Sequence, residues 1–289
     1  MFSFYQLFVI INIMKLSDFR LGLGTWMLGD NSKLYKTEKE VIKQAIKSGL
    51  KVIDTAEMYG EGRSEILIGE AIKSFKRKDI YLVSKVYPHN AGFRNMERSC
   101  LNSLKRLGTD YLDLYLLHWR GGIPLEETVA AFERLKAKGY IRDWGVSNFD
   151  ADDMEELWSI KNGPKCIANQ VLYHIGARGI EYDLIPWLQK HNVTLMAYSP
   201  LASNPRYRQE IIQNQAIKSV AQKHNATVYQ IMLAFAFRHP NTVAIPRTSS
   251  PEHLRENIQC LNIQLDEQDM KLIDSAFPPP TQKTPLGII

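Results

Sequence analysis

Short apolar segments alternate with longer amphipathic segments along most of the chain. The apolar segments are nearly continuous, which is typical of parallel strands buried on both faces. Each is followed by a segment whose apolar residues recur at helical spacing, as Val41, Ala45 and Ile46 do. The predicted strands are residues 21–26, 50–53, 80–83, 111–117, 141–146, 166–168, 193–197 and 242–245.

Helix-capping residues support this alternation. Thr37 and Glu40 have the spacing of a capping box ahead of the first helix. Pro124 is placed to open a later helix that ends before Gly139, and Asp150 is placed to cap the next one. Other predicted helices cover residues 66–75, 94–107 and 184–190, a pair within 211–237, and a last helix that starts at 250–252.

Eight strands, each followed by a helix, predict an α/β protein with a single closed (β/α)8 TIM barrel. The length of 289 residues fits one such domain. In this fold the active site lies at the carboxyl ends of the strands. Seven consecutive strands carry polar residues at that end, namely Asp54, Lys85, His118, Ser147 with Asn148, Gln170, Tyr198 with Ser199, and Arg247.

The first residues differ from the rest of the chain. Positions 2–14 are apolar apart from Ser3, Gln6 and Asn12. A secretory signal needs a basic region and a small-residue cleavage site, and neither is present. The run is also too short to span a bilayer. We interpret residues 1–13 as an apolar extension and residues 14–289 as the barrel, with a membrane tether as the less favoured alternative.

Composition narrows the classes of function. Thirty-six basic and 31 acidic residues give a net charge of +5, which mildly favours anionic small molecules. The basic residues are interspersed with acids and form no stripe, so nucleic-acid binding is not indicated. The three cysteines form no CxxC pair and read as ordinary thiols of a reducing cytoplasm. We expect a monomer or weak oligomer.

The sequence lacks the residue patterns of several common kinds of catalytic site. No G-x-S-x-G is present, no cysteine follows a strand at the predicted rim, and the seven histidines have no zinc-binding spacing with a carboxylate. We therefore predict neither covalent catalysis nor a metal. Gly22-Leu-Gly24 is only a fragment of a dinucleotide fingerprint, so a Rossmann site is not indicated either.

The residues at the strand ends suggest proton transfer instead. Tyr59 follows Asp54 in the loop after the second strand, and a phenol with a pKa near 10 gives up its proton at neutral pH only if a neighbour stabilises the phenolate. Lys85 would do so by its positive charge, and Asp54 would offset the burial of that cation. His118 would orient a carbonyl by hydrogen bonding. Each residue alone is more often structural, but the combination favours catalysis.

The chain resembles the aldo-keto reductases. Within that superfamily it is most similar to small bacterial reductases associated with methylglyoxal and related aldehydes. The likeness runs in order from about residue 14 to the end and rests on Gly22-Leu-Gly-Thr-Trp26, Asp54-Thr-Ala-Glu-Met-Tyr59, Val83-Ser-Lys85, Leu114-Tyr-Leu-Leu-His118-Trp119, Gly145-Val-Ser-Asn-Phe149, Asn169-Gln170, Ala197-Tyr-Ser-Pro-Leu201, Ile245-Pro-Arg-Thr248 and Thr284-Pro-Leu286.

The resemblance implies a reductase of aldehydes and ketones that binds NADPH across the barrel mouth. Tyr59 would be the general acid, tuned by Lys85 and Asp54, and His118 would position the substrate. By similarity, the cofactor residues are Gly24, Thr25, Trp26, Asp54 and Pro246, with Tyr198 stacking on the nicotinamide, Ser147, Asn148 and Gln170 at its carboxamide, Ser199, Leu201 and Ser203 at the pyrophosphate, and Arg247, Thr248, His253, Glu256 and Asn257 at the adenosine end.

Two residues depart from the pattern of the family, and both concern the cofactor. Arg247 replaces a common lysine and keeps its charge, with a fork that suits phosphate. His253 stands where an arginine often grips the 2′-phosphate, so NADPH is expected with NADH also possible. For the substrate we expect a pocket formed by Tyr59 and His118 with walls made by Trp26, Tyr87 and Trp119.

Two other functions remain open from the sequence. One is a regulatory, redox-sensing subunit that binds the nucleotide and turns over slowly. The other is an isomerase or lyase that uses the same barrel without nicotinamide. The physiological carbonyl compound is set by loops, here residues 88–94, 120–123 and 204–209, whose conformation cannot be read from the sequence.

Overall fold

A computed structural model describes residues 14–289 of the protein. The apolar extension predicted for residues 1–13 lies outside the described residues. Within the described residues, no helix is both long enough and apolar enough to cross a bilayer.

Eight parallel strands form one sheet in sequence order. The strands are β1 Gly22–Gly24, β2 Val52–Asp54, β3 Tyr81–Val86, β4 Leu112–Leu117, β5 Ile141–Ser147, β6 Ala168–Leu172, β7 Thr194–Tyr198 and β8 Thr242–Ala244. A parallel bridge between Leu21 and Ala244 joins the first and last strands, so the sheet closes into a ring. The predicted (β/α)8 barrel is confirmed.

Helices surround this ring. They are α1 Tyr35–Lys47, α2 Arg63–Ile72, α3 Asn95–Leu107, α4 Leu125–Ala137, α5 Ala151–Ser159, α6 Leu184–Lys190, α7 Pro205–Gln213, α8 Gln215–Lys223, α9 Val228–Ala236, α10 Pro251–Gln259 and α11 Glu267–Ala276. The predicted cap of α5 is confirmed, because the Asp150 carboxylate accepts a hydrogen bond from the backbone N–H of Asp153.

Two local predictions were wrong, and a third was incomplete. The capping box predicted at Thr37 and Glu40 lies inside α1, because a preceding turn already supplies the helical hydrogen bond from Glu38 N to Leu34 O. The loop predicted at 204–209 is mostly helix α7, which Asn204 caps through Arg206 N. The pair of helices predicted in 211–237 is part of a set of three, α7 to α9, because Asn214 ends one helix and caps the next.

Strand β6 also differs from its prediction. It covers Ala168–Leu172 rather than 166–168, so Gln170 lies within the strand and not beyond its end. A polar pair can occupy the sheet because both amides find partners inside the protein. Asn169 Nδ2 donates to Phe149 O, and Gln170 Nε2 donates to Asp54 Oδ1.

The barrel interior is apolar at the amino ends of its strands. Val52, Tyr81 and Leu114 belong to one buried cluster with Leu16, which lies in a short 3-10 helix ahead of β1. The ring of Phe19 packs against Tyr81 at 5.9 Å between centroids. With this end filled by side chains, the carboxyl ends of the strands are left for a binding site.

The buried carboxylate of Asp113, on β4, links this strand to the neighbouring strands β3 and β5. Asp113 Oδ2 accepts hydrogen bonds from Leu82 N at 2.9 Å and Arg77 Nη2 at 2.7 Å, while Oδ1 accepts one from Arg142 Nη1 at 2.8 Å. The carboxylate is fully buried, whereas both guanidinium groups reach the surface. Removing such a partner leaves charged groups without compensation.

We therefore predict that Asp113→Ala lowers the free energy of unfolding by roughly 3 kcal/mol, measured by urea unfolding. The matched control is Asp143→Ala, which removes an exposed carboxylate paired with Lys136. This control should cost less than about 1 kcal/mol. Equal losses in the two variants would contradict the structural role of Asp113.

Candidate active site

A cavity of about 530 Å³ opens at the carboxyl end of the barrel. Its walls come from nearly every strand end and from the last two residues of the chain. The lining residues are Gly24, Thr25, Trp26, Asp54, Met58, Tyr59, His118, Trp119, Arg120, Ser147, Asn148, Gln170, Tyr198, Ser199, Ile245, Arg247, Ile288 and Ile289.

Tyr59 reaches this cavity because of a tight turn after β2. Gly60 in this turn has a φ of 57°, and a Cβ built there would lie 2.2 Å from Asp30 Oδ1. Glycine is therefore favoured at this position, because another residue would be strained and would push the Asp30 side chain aside. The turn places Tyr59 beside Lys85, which projects from β3, the strand paired with β2.

Lys85 is completely buried, and its ammonium group makes three hydrogen bonds. Nζ donates to Asp54 Oδ2 at 2.8 Å, to Thr55 O at 2.8 Å and to Tyr59 Oη at 3.1 Å. An ammonium group has three N–H donors and no acceptor, so all of its donors are used. The buried charge is thus paired and fully hydrogen-bonded, as burial requires.

The direction of the bond to Tyr59 fixes where the phenol proton goes. Because protonated Lys85 can only donate, Tyr59 Oη is the acceptor of that bond. The hydroxyl hydrogen of Tyr59 must then point elsewhere, and Tyr59 lines the cavity. The phenol therefore presents its proton to whatever occupies the cavity.

Asp54 is held from both sides. Its Oδ2 accepts from Lys85 and its Oδ1 accepts from Gln170 Nε2, each at 2.8 Å. Its backbone oxygen accepts from both the N–H and the hydroxyl of Thr25. These bonds join β2 to residues on β3, β6 and the segment after β1, so the position of the carboxylate is set by the closed barrel.

The pKa values follow from burial and from these contacts. Burial raises the pKa of Tyr59 above its ordinary value, and the charge of Lys85 opposes this without reversing it. Burial alone would lower the pKa of Lys85, but Asp54 and Tyr59 raise it. Lys85 acts in the predicted direction, yet the phenol stays protonated at neutral pH, which is the form that a general acid needs.

His118 is also part of the cavity wall. Burial, with the nearby charge of Lys85, lowers the pKa of this imidazole to about 3, so it is neutral. Its ring meets that of Tyr59 edge-on at 5.8 Å between centroids. Its Nδ1 is buried without a hydrogen-bond partner among the described residues. A neutral ring can donate from its other nitrogen, Nε2, to a carbonyl oxygen.

The residues predicted for the nicotinamide lie together on one wall. Tyr198 Oη donates to Asn148 Oδ1 at 2.9 Å, and Asn148 Nδ2 donates to Ser147 Oγ and His118 O. Gln170 uses its Nε2 on Asp54, and its Oε1 makes no hydrogen bond within residues 14–289. This wall therefore offers an aromatic face and an available amide acceptor, which fits a flat ring that carries a carboxamide.

Close backbone contact shapes the adjacent wall, where β1 meets the segment after β8. A Cβ on Gly24 would lie 2.7 Å from Ile245 O, so only glycine allows β1 to approach the segment after β8 so closely. Arg247 follows on that segment, with Nη2 3.9 Å from Oε1 of the buried Glu38. Arg247 is the charged group here that fits a phosphate.

The predicted cofactor residues divide into two groups. Those that line the cavity are Gly24, Thr25, Trp26, Asp54, Ser147, Asn148, Gln170, Tyr198, Ser199 and Arg247. Those that do not are Leu201, Ser203, Pro246, Thr248, His253, Glu256 and Asn257. The structure therefore brings the predicted nicotinamide residues together, and it places the predicted adenosine residues on the segment after β8 and on α10.

The predicted substrate residues show a similar division. Trp26, Tyr59, His118 and Trp119 line the cavity, whereas Tyr87 lies behind Trp119, edge-on at 6.0 Å between ring centroids.

Some lining residues were not predicted individually from the sequence, namely Met58, Arg120, Ile245, Ile288 and Ile289, although Arg120 begins the predicted substrate loop 120–123. Met58, Arg120 and Ile245 adjoin predicted residues, so their place in the sequence was a usable signal. For Ile288 and Ile289 the sequence gives none.

The other reactive side chains lie away from this chemistry. Cys100, Cys166 and Cys260 are buried free thiols, and burial raises the pKa of each to about 12. Among residues 14–289, no group of three or more His, Cys, Asp or Glu side chains has a metal-binding arrangement.

A tyrosine held by a buried lysine and aspartate lies at the mouth of a (β/α)8 barrel, and this arrangement belongs to a barrel enzyme that transfers protons. A model of the aldo/keto reductase family matches residues 20–277. The chain belongs to this family, which confirms the resemblance seen in the sequence.

Individual relatives agree with this assignment. Methylglyoxal reductase YeaE of Escherichia coli is 46% identical over 93% of this chain and 94% of its own length. Glyoxal reductase of Bacillus subtilis is 33% identical over 88% of this chain and 87% of its own length. A crystal structure of an aldo-keto reductase from Klebsiella pneumoniae in complex with NADPH is 49% identical, with a TM-score of 0.91 over 93% of this chain and 94% of that one.

The buried imidazole of His118 leads to a prediction about pH. Unfolded, the ring takes up a proton near its ordinary pKa of 6.5, whereas its pKa in the folded protein is about 3. Between these values the unfolded chain binds more protons, so the free energy of unfolding falls as the pH falls through this window. We expect His118→Gln to remove up to roughly 3 kcal/mol of this dependence between about pH 7 and pH 4.

Urea unfolding at a series of pH values measures the effect. The control is His89→Gln, which changes an exposed histidine and should keep the pH dependence of the wild type. Parallel curves for the wild type and His118→Gln would show that the buried ring does not contribute.

Proposed function

We propose that the protein reduces aldehydes and ketones to alcohols with NADPH, and that Tyr59 is the general acid. The observation that carries this proposal is the bond that Tyr59 Oη accepts from Lys85, which leaves the phenol proton free to be donated into the cavity. The family membership and the relatives named for methylglyoxal and glyoxal reduction support the same reaction.

Each residue of the site has a defined task in this reaction. NADPH, when bound, supplies the hydride. Tyr59 donates its proton to the carbonyl oxygen, and Lys85 stabilises the phenolate that forms by keeping its hydrogen bond to Oη. Asp54 holds the ammonium in place. His118, neutral at physiological pH, donates from Nε2 to the same carbonyl oxygen and so orients it.

The cavity walls divide the work of holding the cofactor. Tyr198 would stack on the nicotinamide, and Ser147, Asn148 and Gln170 would bind its carboxamide. Ser199, Leu201 and Ser203 would lie along the pyrophosphate, near Gly24, Thr25, Trp26 and Pro246. Arg247, Thr248, His253, Glu256 and Asn257 would hold the adenosine end. The hydrogen bonds that position Asn148 and Gln170 before any ligand arrives support this assignment, because they reduce the ordering cost of binding.

The substrate side of the cavity is largely apolar. Trp26 and Trp119 form its walls, with Tyr87 supporting Trp119 from behind. The relatives named for methylglyoxal and glyoxal reduction support small carbonyl compounds as substrates, and the apolar walls suit aldehydes with an apolar body. We also propose that residues 14–289 form the catalytic unit, as a monomer or weak oligomer in the cytoplasm. The three free thiols are consistent with that reducing compartment.

The role of Tyr59 predicts the effect of one substitution. Tyr59→Phe keeps the ring but removes the donor, so kcat should fall at least about a hundredfold. The Kd for NADPH, followed by quenching of protein fluorescence, should change little. The matched control is Tyr229→Phe, which removes an exposed hydroxyl on α9 and should leave kcat unchanged.

The same assay separates the competing functions. A regulatory subunit would bind NADPH tightly while the wild type showed negligible steady-state oxidation of it with any aldehyde. An isomerase or lyase would show no NADPH-dependent quenching. Turnover at the wild-type rate in Tyr59→Phe would refute the assignment of the acid.

The residue at position 253 predicts the margin between the two nicotinamide cofactors. His253→Arg supplies a guanidinium to the proposed 2′-phosphate site, so it should raise the ratio of NADH Kd to NADPH Kd by roughly tenfold, the effect of one charge-assisted hydrogen bond. Glu252→Gln, which also raises the net charge of this end of α10 by one but adds no guanidinium, is the control. An equal rise of this Kd ratio in both variants would mean that only the net charge of this region matters, and not a direct contact with the 2′-phosphate.

A further inference from the structure

Arg120 lines the cavity directly after His118 and Trp119, and it has partners on a neighbouring helix. Nη1 donates to Asp153 Oδ1 at 2.8 Å and to Glu156 Oε2 at 2.7 Å, while Nη2 donates to Glu156 Oε1 at 2.6 Å. The bond to Glu156 is therefore a bidentate fork, and Asp153 adds a second carboxylate. These bonds raise the pKa of Arg120 and lower that of Glu156.

An arginine at the mouth of a cavity would ordinarily indicate a site for a carboxylate or phosphate. Here both terminal nitrogens already donate to protein carboxylates. One cation faces two anions, so the group made by Arg120, Asp153 and Glu156 has a net charge of −1. The bonds to these acids use three of the five N–H donors of the guanidinium, so an incoming carboxylate would have to displace a partner or bind the remaining donors beside the two carboxylates already there.

The positions of the two carboxylates around Arg120 are held by the structure of α5. Asp153 and Glu156 lie three residues apart, on the same face of α5. Asp153 belongs to the capping box of α5, where its Oδ2 accepts from Asp150 N, so its other oxygen is aimed at Arg120. A bidentate pair within a group of three charges is the kind of surface interaction that persists in solution.

In the part of the chain that the structure describes, no other group on the substrate side of the cavity wall offers a free positive charge that could bind a carboxylate. Asp54 is paired with Lys85, and the His118 ring is neutral. Arg247 belongs to the wall formed by the segment after β8, where Glu38 is its nearest acid. The remaining contacts for a substrate are Trp26, Trp119 and the apolar end of the chain.

We propose that Asp153 and Glu156 occupy the guanidinium of Arg120 and thereby select uncharged carbonyl substrates over those that carry a carboxylate. Arg120 is then a specificity-determining residue. Its partners on α5 decide whether the site favours uncharged substrates or substrates with a carboxylate. This inference rests on the proposed reductase function, and it names the substrate class that the reductase accepts.

Two aldehydes of the same shape test it, namely 4-formylbenzamide, which is uncharged, and 4-formylbenzoate, which carries a carboxylate. The measured quantity is the ratio of their kcat/KM values at saturating NADPH. We expect the wild type to favour the amide at least about fivefold, the effect of one unit charge roughly 4 Å away in a solvated site with the dielectric constant of water.

Variants of the group should move this ratio in opposite directions. Glu156→Gln removes one of the two anions and frees part of the fork, so the ratio should shift toward the carboxylate by about fivefold. Arg120→Gln leaves two unpaired anions, so the ratio should shift by a similar factor toward the amide. The matched control is Glu155→Gln, whose carboxylate accepts from Trp187 instead and which should keep the wild-type ratio.

The results distinguish this inference from its alternatives. A wild type that prefers the carboxylate, or a Glu156→Gln variant with an unchanged ratio, would overturn the selection by Arg120 while the reductase function stands. An equal shift in Glu155→Gln would overturn it as well, because only the net charge of α5 would then matter. If the wild type turns over neither aldehyde, the reductase function fails first and this inference falls with it.

Discussion

The hydrogen bond from Lys85 to Tyr59 is the interaction on which the rest of the site depends. The lysine is fully buried, so its charge is tolerable only because Asp54, Thr55 O and Tyr59 Oη accept its three donors. This saturation has a chemical consequence. A phenol that must accept from an ammonium group cannot spend its own proton there, so the proton remains available to a ligand in the cavity.

The barrel provides the rigidity that this arrangement needs. Asp54 and Lys85 come from adjacent parallel strands, and Gln170, which holds the other oxygen of Asp54, comes from the far side of the ring. No single loop could keep these groups within hydrogen-bond distance. Around them, we propose that the wall with Tyr198 holds the flat nicotinamide and that Arg120 with its two acids selects among carbonyl compounds. In this proposal, cofactor binding, proton transfer and substrate selection use different parts of one rim.

Much of this site could be predicted from the sequence because strand ends in a parallel barrel converge. Asp54, Lys85 and His118 follow apolar runs, so their meeting followed from the fold alone. The partners of Arg120 could not be predicted in this way, because Asp153 and Glu156 reach it from a helix more than 30 residues further along the chain. The same holds for Ile288 and Ile289. Their place in the cavity depends on the path of the last segment, which no periodicity reveals.

The prediction about Tyr59 succeeded in its contacts but not in the net direction of the pKa. From the sequence, the charge of Lys85 is the obvious influence, whereas the extent of burial is visible only in three dimensions, and burial dominates. The bounds of strand β6 were also mispredicted, because they depend on contacts that form only in the folded protein. Asn169 and Gln170 look like a loop because they are polar, yet both lie in the sheet because their amides are satisfied inside the protein.

Neutron diffraction from a crystal exchanged into heavy water would test the central claim most directly, since hydrogen positions are inferred rather than seen at ordinary X-ray resolution. We expect three deuterons on Lys85 Nζ, directed at Asp54 Oδ2, Thr55 O and Tyr59 Oη, and one deuteron on Tyr59 Oη that points into the cavity. A neutral amine on Lys85 that accepts a deuteron from Tyr59 would contradict the account.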